Sequence, residues 1–294
     1  MTTNQACIDQ LTASGDYRII RRLEPVDRYH ADSGAEKHIG LYIDTECTGL
    51  DPEIEKVIEL ALVPFEYDAE GRIYRVLPAY NAFQDPGRPI PPFITRLTGI
   101  TDAMVAGQAI DPDAVSRLLE QADLVIAHNA RFDRPFAEQL HPGFEALSWA
   151  CSIADVNWNE EGFEGVKLDY LAYKHGFFYE GHRATIDCQA GIELLSQTLP
   201  SGTRVLKRLL DSARRTEVRL WAVKAPFEMK DVLKARGYRW SPGGEGILKA
   251  WYKDLPEEEA DAELLYLNQE VYPRAVGVLP MDRFDAKMRY SKRV

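Results

Sequence analysis

The stretch HIGLYIDTEC, residues 38–47, is apolar through its middle and acidic near its end. That pattern predicts a buried strand whose C-terminal end surfaces. KVIELALVPFEY (56–67) predicts a second strand, and GRIYRVLPAYNAF (71–83) a third after the turn DAEG. Three strands with short links suggest an antiparallel meander. The periodicity then changes. PPFITRLTGIT (91–101) and DPDAVSRLLEQA (111–122) read as helices, DLVIAHN (123–129) as a short buried strand and RFDRPFAEQL (131–140) as a helix. LSWACSIA (147–154) reads as a strand, NWNEEGFEG (157–165) as a polar loop, and LDYLAYKHG (168–176) and ATIDCQAGIELLSQTL (184–199) as helices. Strands followed by alternating helices and strands imply an α/β sheet with helices on its faces.

LPSGT, residues 199–203, is a Pro/Gly/Ser break and the expected boundary. The chain therefore divides into an N-terminal arm (1–37), a main α/β domain (38–203) and a small C-terminal α+β module (204–294). In the module, RLWAVKAP reads as strand and turn, and EMKDVLKARG as a helix with Gly237 just past its end. YRW, a Gly-rich turn and LKAWYKD make a hairpin. PEEEADAELLYLNQEVYP reads as an acid-capped helix and RYSKR as a basic tail. PFEMKDVLKARGYRWSPGGEGILKAWY (226–252) resembles a small module that recurs beside primase-, helicase- and relaxase-like proteins.

Composition narrows the class. At 294 residues and 45% hydrophobic, the chain can fill a sizeable core. It has no run of about 18 apolar residues, so no membrane span is expected. The start of the chain has no secretory apolar region. Cys7, Cys47, Cys151 and Cys188 are scattered without the pair spacing of a zinc site and read as reduced, so a cytoplasmic location is expected.

The net charge of −11 argues at first against a polyanionic partner, but its distribution argues for one. Residues 1–203 hold 16 basic and 32 acidic side chains, residues 204–253 hold 13 and 5, and residues 254–294 hold 6 and 9. An acidic body thus carries a basic segment, the asymmetry expected where a polyanion docks at one end. In that segment Lys224, Lys230, Lys234, Arg236, Arg239 and Lys249 are the candidates to track phosphates, with Trp240, Trp251 and Tyr252 to stack bases. The same aromatic residues could equally form the core of so small a module.

The candidate chemistry lies in the acids. Asp44 and Glu46 stand at i and i+2 of the first strand, so a period of two puts both on one face. Adjacent carboxylates repel unless a cation sits between them, and Mg²⁺ or Mn²⁺ prefers such oxygen ligands. Asp133 enters a helix after a strand ending in His128 and Asn129, and His182 precedes Asp187 at the start of another helix.

This order, Asp-x-Glu, then Asp, then His-x4-Asp, resembles the histidine-containing branch of the DEDD exonucleases, which have a ribonuclease-H-like fold. The likeness includes the proofreading epsilon subunits of bacterial DNA polymerase III. IDTECTGLD, VIELALV, PIPPFITRLTGITDAMV, IAHNARFDRPF and HRATIDCQA carry the likeness, over roughly residues 38–199. Cys47 departs from the family's common threonine, at a side chain that is not a ligand.

The resemblance implies a ribonuclease-H-like mixed sheet with flanking helices and a metal-dependent 3′–5′ exonuclease that releases 5′-mononucleotides from single-stranded or frayed DNA. It implies two divalent cations, Mg²⁺ or Mn²⁺, with Asp44 bridging both, Glu46 and Asp187 completing one site and Asp133 supporting the other. His182 is implied as general base, a role suited to an imidazole near neutral pH. Thr48, Leu50, Thr98, His128 and Phe132 are implied as contacts to the terminal nucleotide. Two alternatives remain open: an exoribonuclease trimming RNA ends, or a catalytically silent binding subunit of a polymerase or repair assembly. A protein partner for the C-terminal module is a further alternative to nucleic acid.

Overall fold

A computed structural model describes residues 3–244, 246–272, 274 and 278–294. The chain forms two compact units. One comprises residues 1–212 with 290–292, the other 213–289 with 293–294.

The first unit begins with helix α1 (Thr3–Ser14) and strand β1 (Arg21–Arg22), both inside the arm, where sequence periodicity gives no signal. The main sheet contains β2 (His38–Cys47), β3 (Val57–Tyr67), β4 (Ile73–Val76) and β5 (Tyr80–Phe83). Helices α2 (Pro92–Thr98), α3 (Asp102–Val105) and α4 (Pro112–Leu119) follow. Then come β6 (Leu124–Ala127), α5 (Ala130–Leu140), β7 (Trp149–Cys151), α6 (Leu168–Lys174), β8 (Phe177–Phe178), α7 (Ala184–Ser196) and α8 (Val205–Ala213).

The strand order is β4-β3-β2-β6-β7, with β5 also on β3. The β2–β3 pair is antiparallel, while β6 and β7 add in parallel to β2. This is the mixed sheet with flanking helices that the sequence implies. The expected third strand is in fact two, β4 and β5, paired with different stretches of β3. Between them lie Leu77, Pro78 and Ala79. Proline has no N–H to give a ladder, so continuous pairing breaks there.

Alternation along β2 decides where the site forms. Leu41, Ile43 and Cys47 point into the cluster that contains Phe136 and Ala137 of α5. On the other face α7 lies on β2 and β3, with Cys188 Sγ 3.8 Å from the Tyr42 and Ala61 carbonyl oxygens. The approach is close because Gly191 faces Tyr42. A Cβ at Gly191 would stand 2.0 Å from Tyr42 Cζ. Helix α7 therefore reaches the sheet only with glycine at that position.

In the second unit β9 (Glu217–Ala222), α9 (Lys230–Ala235), β10 (Arg239–Trp240), β11 (Trp251–Pro256), α10 (Ala260–Tyr266) and β12 (Met281–Phe284) form a small α+β body. Its antiparallel sheet has the order β10-β11-β9-β12. The hairpin of β10 and β11 appears as the sequence suggests, and β12 is an added edge strand. Val218, Leu220, Leu233, Leu255 and Leu267 are buried in its core. No helix among the described residues is long and apolar enough to cross a membrane.

Gly191→Ala should cost about 1–3 kcal/mol through overpacking against Tyr42. The measurement is the midpoint of chemical denaturation. An unchanged midpoint would show that α7 can withdraw from the sheet without loss.

Candidate active site

Even positions of β2 face α7 and odd positions face α5. Asp44 and Glu46, both half-buried, thereby meet Asp187 from the first turn of α7. One carboxylate oxygen from each lies within 4.8 Å of the others. Thr45, pointing the other way, anchors the fourth acid. Its amide and hydroxyl both donate to Asp133 Oδ1, at 3.0 and 2.8 Å. Asp133 sits in the first turn of α5 and is buried. Its helix starts at Asn129, which takes a left-handed conformation (φ 79°) that asparagine tolerates.

The acids perturb one another. Burial, then the neighbouring charges of Asp133, Asp187 and Glu46, push the Asp44 carboxyl well above the ordinary carboxylate range. Burial and the charge of Asp187 push Glu46 up to about 8. Burial raises Asp133 to about 7 even though hydrogen bonds from Thr45 oppose the rise. Asp187 is raised by burial, while the Arg183 amide, the charge of His182 and the Tyr179 side chain pull the other way. Carboxyls raised together in this way have too little counter-charge around them. A small hard cation with oxygen preference fits that donor set.

His182 is exposed and adopts a left-handed backbone (φ 67°) immediately before α7. Such a conformation costs about 1–3 kcal/mol in a non-glycine residue and persists only where neighbours enforce it. They do. The Arg183 amide donates to Asp187 Oδ2 at 3.1 Å, and the Arg183 guanidinium donates to both oxygens of Glu59, at 3.0 and 3.3 Å. The Ala184 amide donates to Glu59 as well, at 3.3 Å, so Glu59 meets the open N-terminus of α7.

Glu59 did not emerge from the sequence as a site residue. It is fully buried on β3, directly opposite Glu46 in the ladder, and Asn81 donates to it at 3.0 Å. The available signal was a single acid inside the apolar run VIELALV. Charges of like sign directly opposite each other are unfavourable unless one has its own partner, and Arg183 is that partner.

The expected nucleotide contacts divide. Leu50 is 84% exposed just beyond the acid pair. Phe132 is half-buried, its ring 5.1 Å from that of Phe136. His128 Nδ1 hydrogen-bonds Ser152 Oγ at 2.7 Å, and burial lowers the ring to about 4, so it is neutral at physiological pH. The other two have hydroxyls engaged within the chain. The Thr48 hydroxyl donates to Glu55 and accepts from the Lys56 amide and Arg88, leaving no lone pair for a sugar hydroxyl. Thr98 is buried, with its hydroxyl donating to the Ile94 carbonyl and accepting from the Ile100 amide, so it locks the end of α2.

The raised carboxyls bind protons more tightly in the folded chain than in the unfolded one. Their contribution to stability is therefore complete below the unfolded carboxyl range, near 4, and is lost as pH rises through about 8. Without divalent cation, the melting temperature should fall over that window. Added Mn²⁺ should recover it most at the alkaline end, where the acids are free to ionise. Thermal melts with EDTA and with Mn²⁺ at several pH values check this. A cation effect independent of pH would contradict it.

A protein-family profile for RNase T-type exonucleases, described as Exonuclease, matches residues 41–195. The chain is 31% identical over 168 residues to a PolC-type DNA polymerase III of Listeria welshimeri, covering 53% of this chain and 11% of that protein. A PolC-type enzyme of Caldanaerobacter subterraneus is 28% identical over 217 residues, covering 66% of this chain and 15% of its own. The chain thus spans only 11–15% of the length of these curated relatives. Among solved structures, a zinc-bound complex of E. coli Exonuclease I with single-stranded DNA aligns with a TM-score of 0.52. At 14% identity, over 77% of this chain and 67% of that one, it attests the fold alone. The profile match extends over more than half of the 294 residues and takes in every acid of the cluster, so the protein belongs to the RNase T-type exonuclease family.

Proposed function

We propose that the protein removes nucleotides from the 3′ end of single-stranded or frayed DNA and releases 5′-mononucleotides. The observation that carries this reading is the gathering of Asp44, Glu46 and Asp187 within 4.8 Å, with His182 on the turn that leads into the helix supplying Asp187. DNA as substrate is supported by the relatives' names, which are DNA polymerases, and by the single-stranded DNA in the Exonuclease I complex. The 3′–5′ direction is supported by the likeness of the motifs to the histidine branch of the DEDD exonucleases.

Two divalent cations, Mg²⁺ or Mn²⁺, would supply charge compensation at the phosphate, an activated water and help for the leaving oxygen. Asp44, Glu46 and Asp187 would hold one, with Asp44 shared. The second oxygen of Asp133 would support the other, its first oxygen being held by Thr45.

The remaining work belongs to the chain. A ring nitrogen of His182 takes the proton of the attacking water, and the exposed position of the ring lets it pass that proton to solvent. Glu59 and Arg183 act as positioning residues that hold the His182 turn against α7. The exposed Leu50 side chain offers an apolar surface to the terminal base, with Phe132 and His128 as further candidates.

Mononucleotide release from single strands labelled at either end tests the reading. In Mg²⁺, a 3′ label should appear at once as mononucleotide, while a 5′ label should pass through a ladder of shortened strands; EDTA should stop both. Asp44→Asn should bring turnover near background with the fold retained. His182→Ala should lower the rate by about 10²–10⁴ while cation binding stays near normal. Faster digestion of an RNA strand of the same sequence would move the substrate to RNA, and release from the 5′ end first would overturn the polarity.

A further inference from the structure

In the second unit some basic side chains are paired with acids and others are not. Asp254 pairs with Arg219 and Arg239, and Glu263 pairs with Arg236 and Lys253. Arg236 and Arg239, which the sequence offered for phosphate contacts, are therefore engaged within the unit. Lys230 and Lys234 are not. Among the described residues no carboxylate lies within ion-pair distance of either, and both keep company with aromatic rings instead. Lys230 Nζ is 4.4 Å from the centre of the Phe227 ring, and Lys234 Nζ is 6.0 Å from that of Trp251.

These contacts line up. Phe227 opens a single 3₁₀ turn (Phe227–Met229) that runs into α9. In a 3₁₀ turn residues i and i+3 eclipse, which brings Phe227 under Lys230, and Lys234 follows one α-turn later on the same side. Trp251 of β11 lies directly across the ladder from Trp240 of β10, with ring centres 5.5 Å apart and planes inclined at 65°. The edge-on packing of the two indoles leaves Trp240 49% exposed, and Phe227 is 75% exposed. The strip runs Phe227, Lys230, Lys234, Trp251, Trp240. A small body that left two large aromatic rings in water beside two uncompensated ammonium groups would gain nothing from them in its own core.

We propose that this strip is a stacking platform for single-stranded nucleic acid, with bases on Phe227 and Trp240 and phosphates on Lys230 and Lys234. Charge complementarity selects a polyanion, and exposed ring faces select one with flat unpaired bases over a phosphoprotein or a duplex. Every base offers a flat face to stack on an exposed ring, so binding tolerates any sequence. The inference stands apart from the active-site reading, because it uses none of those residues.

The test uses the full chain in EDTA, where turnover is absent. Long oligo-dT and oligo-U strands and a blunt duplex are titrated while anisotropy and tryptophan fluorescence are followed. The single strands should quench the fluorescence, since Trp149, Trp158 and Trp221 are buried and Trp240 is the most exposed indole. Trp240→Ala should weaken binding of the long strands by about 5- to 100-fold, and Trp240→Phe should keep most of the affinity. Lys230→Glu with Lys234→Glu should flatten the log-affinity against log-salt slope by about 1.4, or 0.7 per phosphate. Both variants should still release mononucleotides from a tetranucleotide in Mg²⁺ at the wild-type rate. Wild-type affinity and slope in both would overturn the platform, as would tighter binding of the duplex. If wild type leaves the tetranucleotide uncut while the variants lose the long strands, the exonuclease reading fails and the platform stands.

Discussion

Repulsion among carboxylates at the end of one strand is the constraint around which the first unit is built. Asp44 and Glu46 share a face of β2, Asp187 meets them from α7, and Asp133 is tied to the residue between them. Proteins pay for such clusters in stability, and the protons these acids retain are the sign of it. Everything packed nearby keeps the acids from spreading apart. Gly191 lets α7 sit against Tyr42, Thr45 fastens α5, and the buried Leu41 and Ile43 hold β2 in the core.

The turn before α7 shows how the arrangement is held at its most strained point. His182 has a backbone conformation that glycine would adopt more readily, and its neighbours on the C-terminal side fix it there. Arg183 reaches a fully buried Glu59, which also receives the first amide of α7. Removing the guanidinium would leave a buried carboxylate with only Asn81 and one amide, a costly state. The Arg183–Glu59 pair thus links the site on β2 to the helix that supplies Asp187. It sits on the strand beside Asp44 and Glu46 and is a part of the same electrostatic unit.

Much of this was legible in the sequence because period-two alternation and helix starts are local signals. Asp44 and Glu46 had to share a face, and Asp133 and Asp187 each open a helix, as the structure has them. What could not be read was pairing across distance. Glu59 finds Arg183 from 124 positions away, and Thr45 finds Asp133 from 88. Thr48 and Thr98 look like free hydroxyls in a motif, yet their bonds are taken up internally by Glu55, Arg88 and the Ile94 carbonyl. Pro78 marks the split of the third strand, although the apolar residues on either side of it read as one run. In the second unit a count of basic residues overstated the free charge, since Asp254 and Glu263 each take two of them.

The acid cluster keeps protons on its most strongly raised members, Asp44, Glu46 and Asp133, until a cation displaces them. Calorimetric titration of Mn²⁺ into the metal-free protein at pH 7, in buffers of differing ionisation enthalpy, counts those protons directly. With Glu46 raised to about 8 and Asp133 to about 7, binding should release about one proton or more per chain, fewer at pH 9. Tight Mn²⁺ binding with no proton released at pH 7 would contradict the account, because the acids would then already be ionised and the electrostatic strain assigned to them absent.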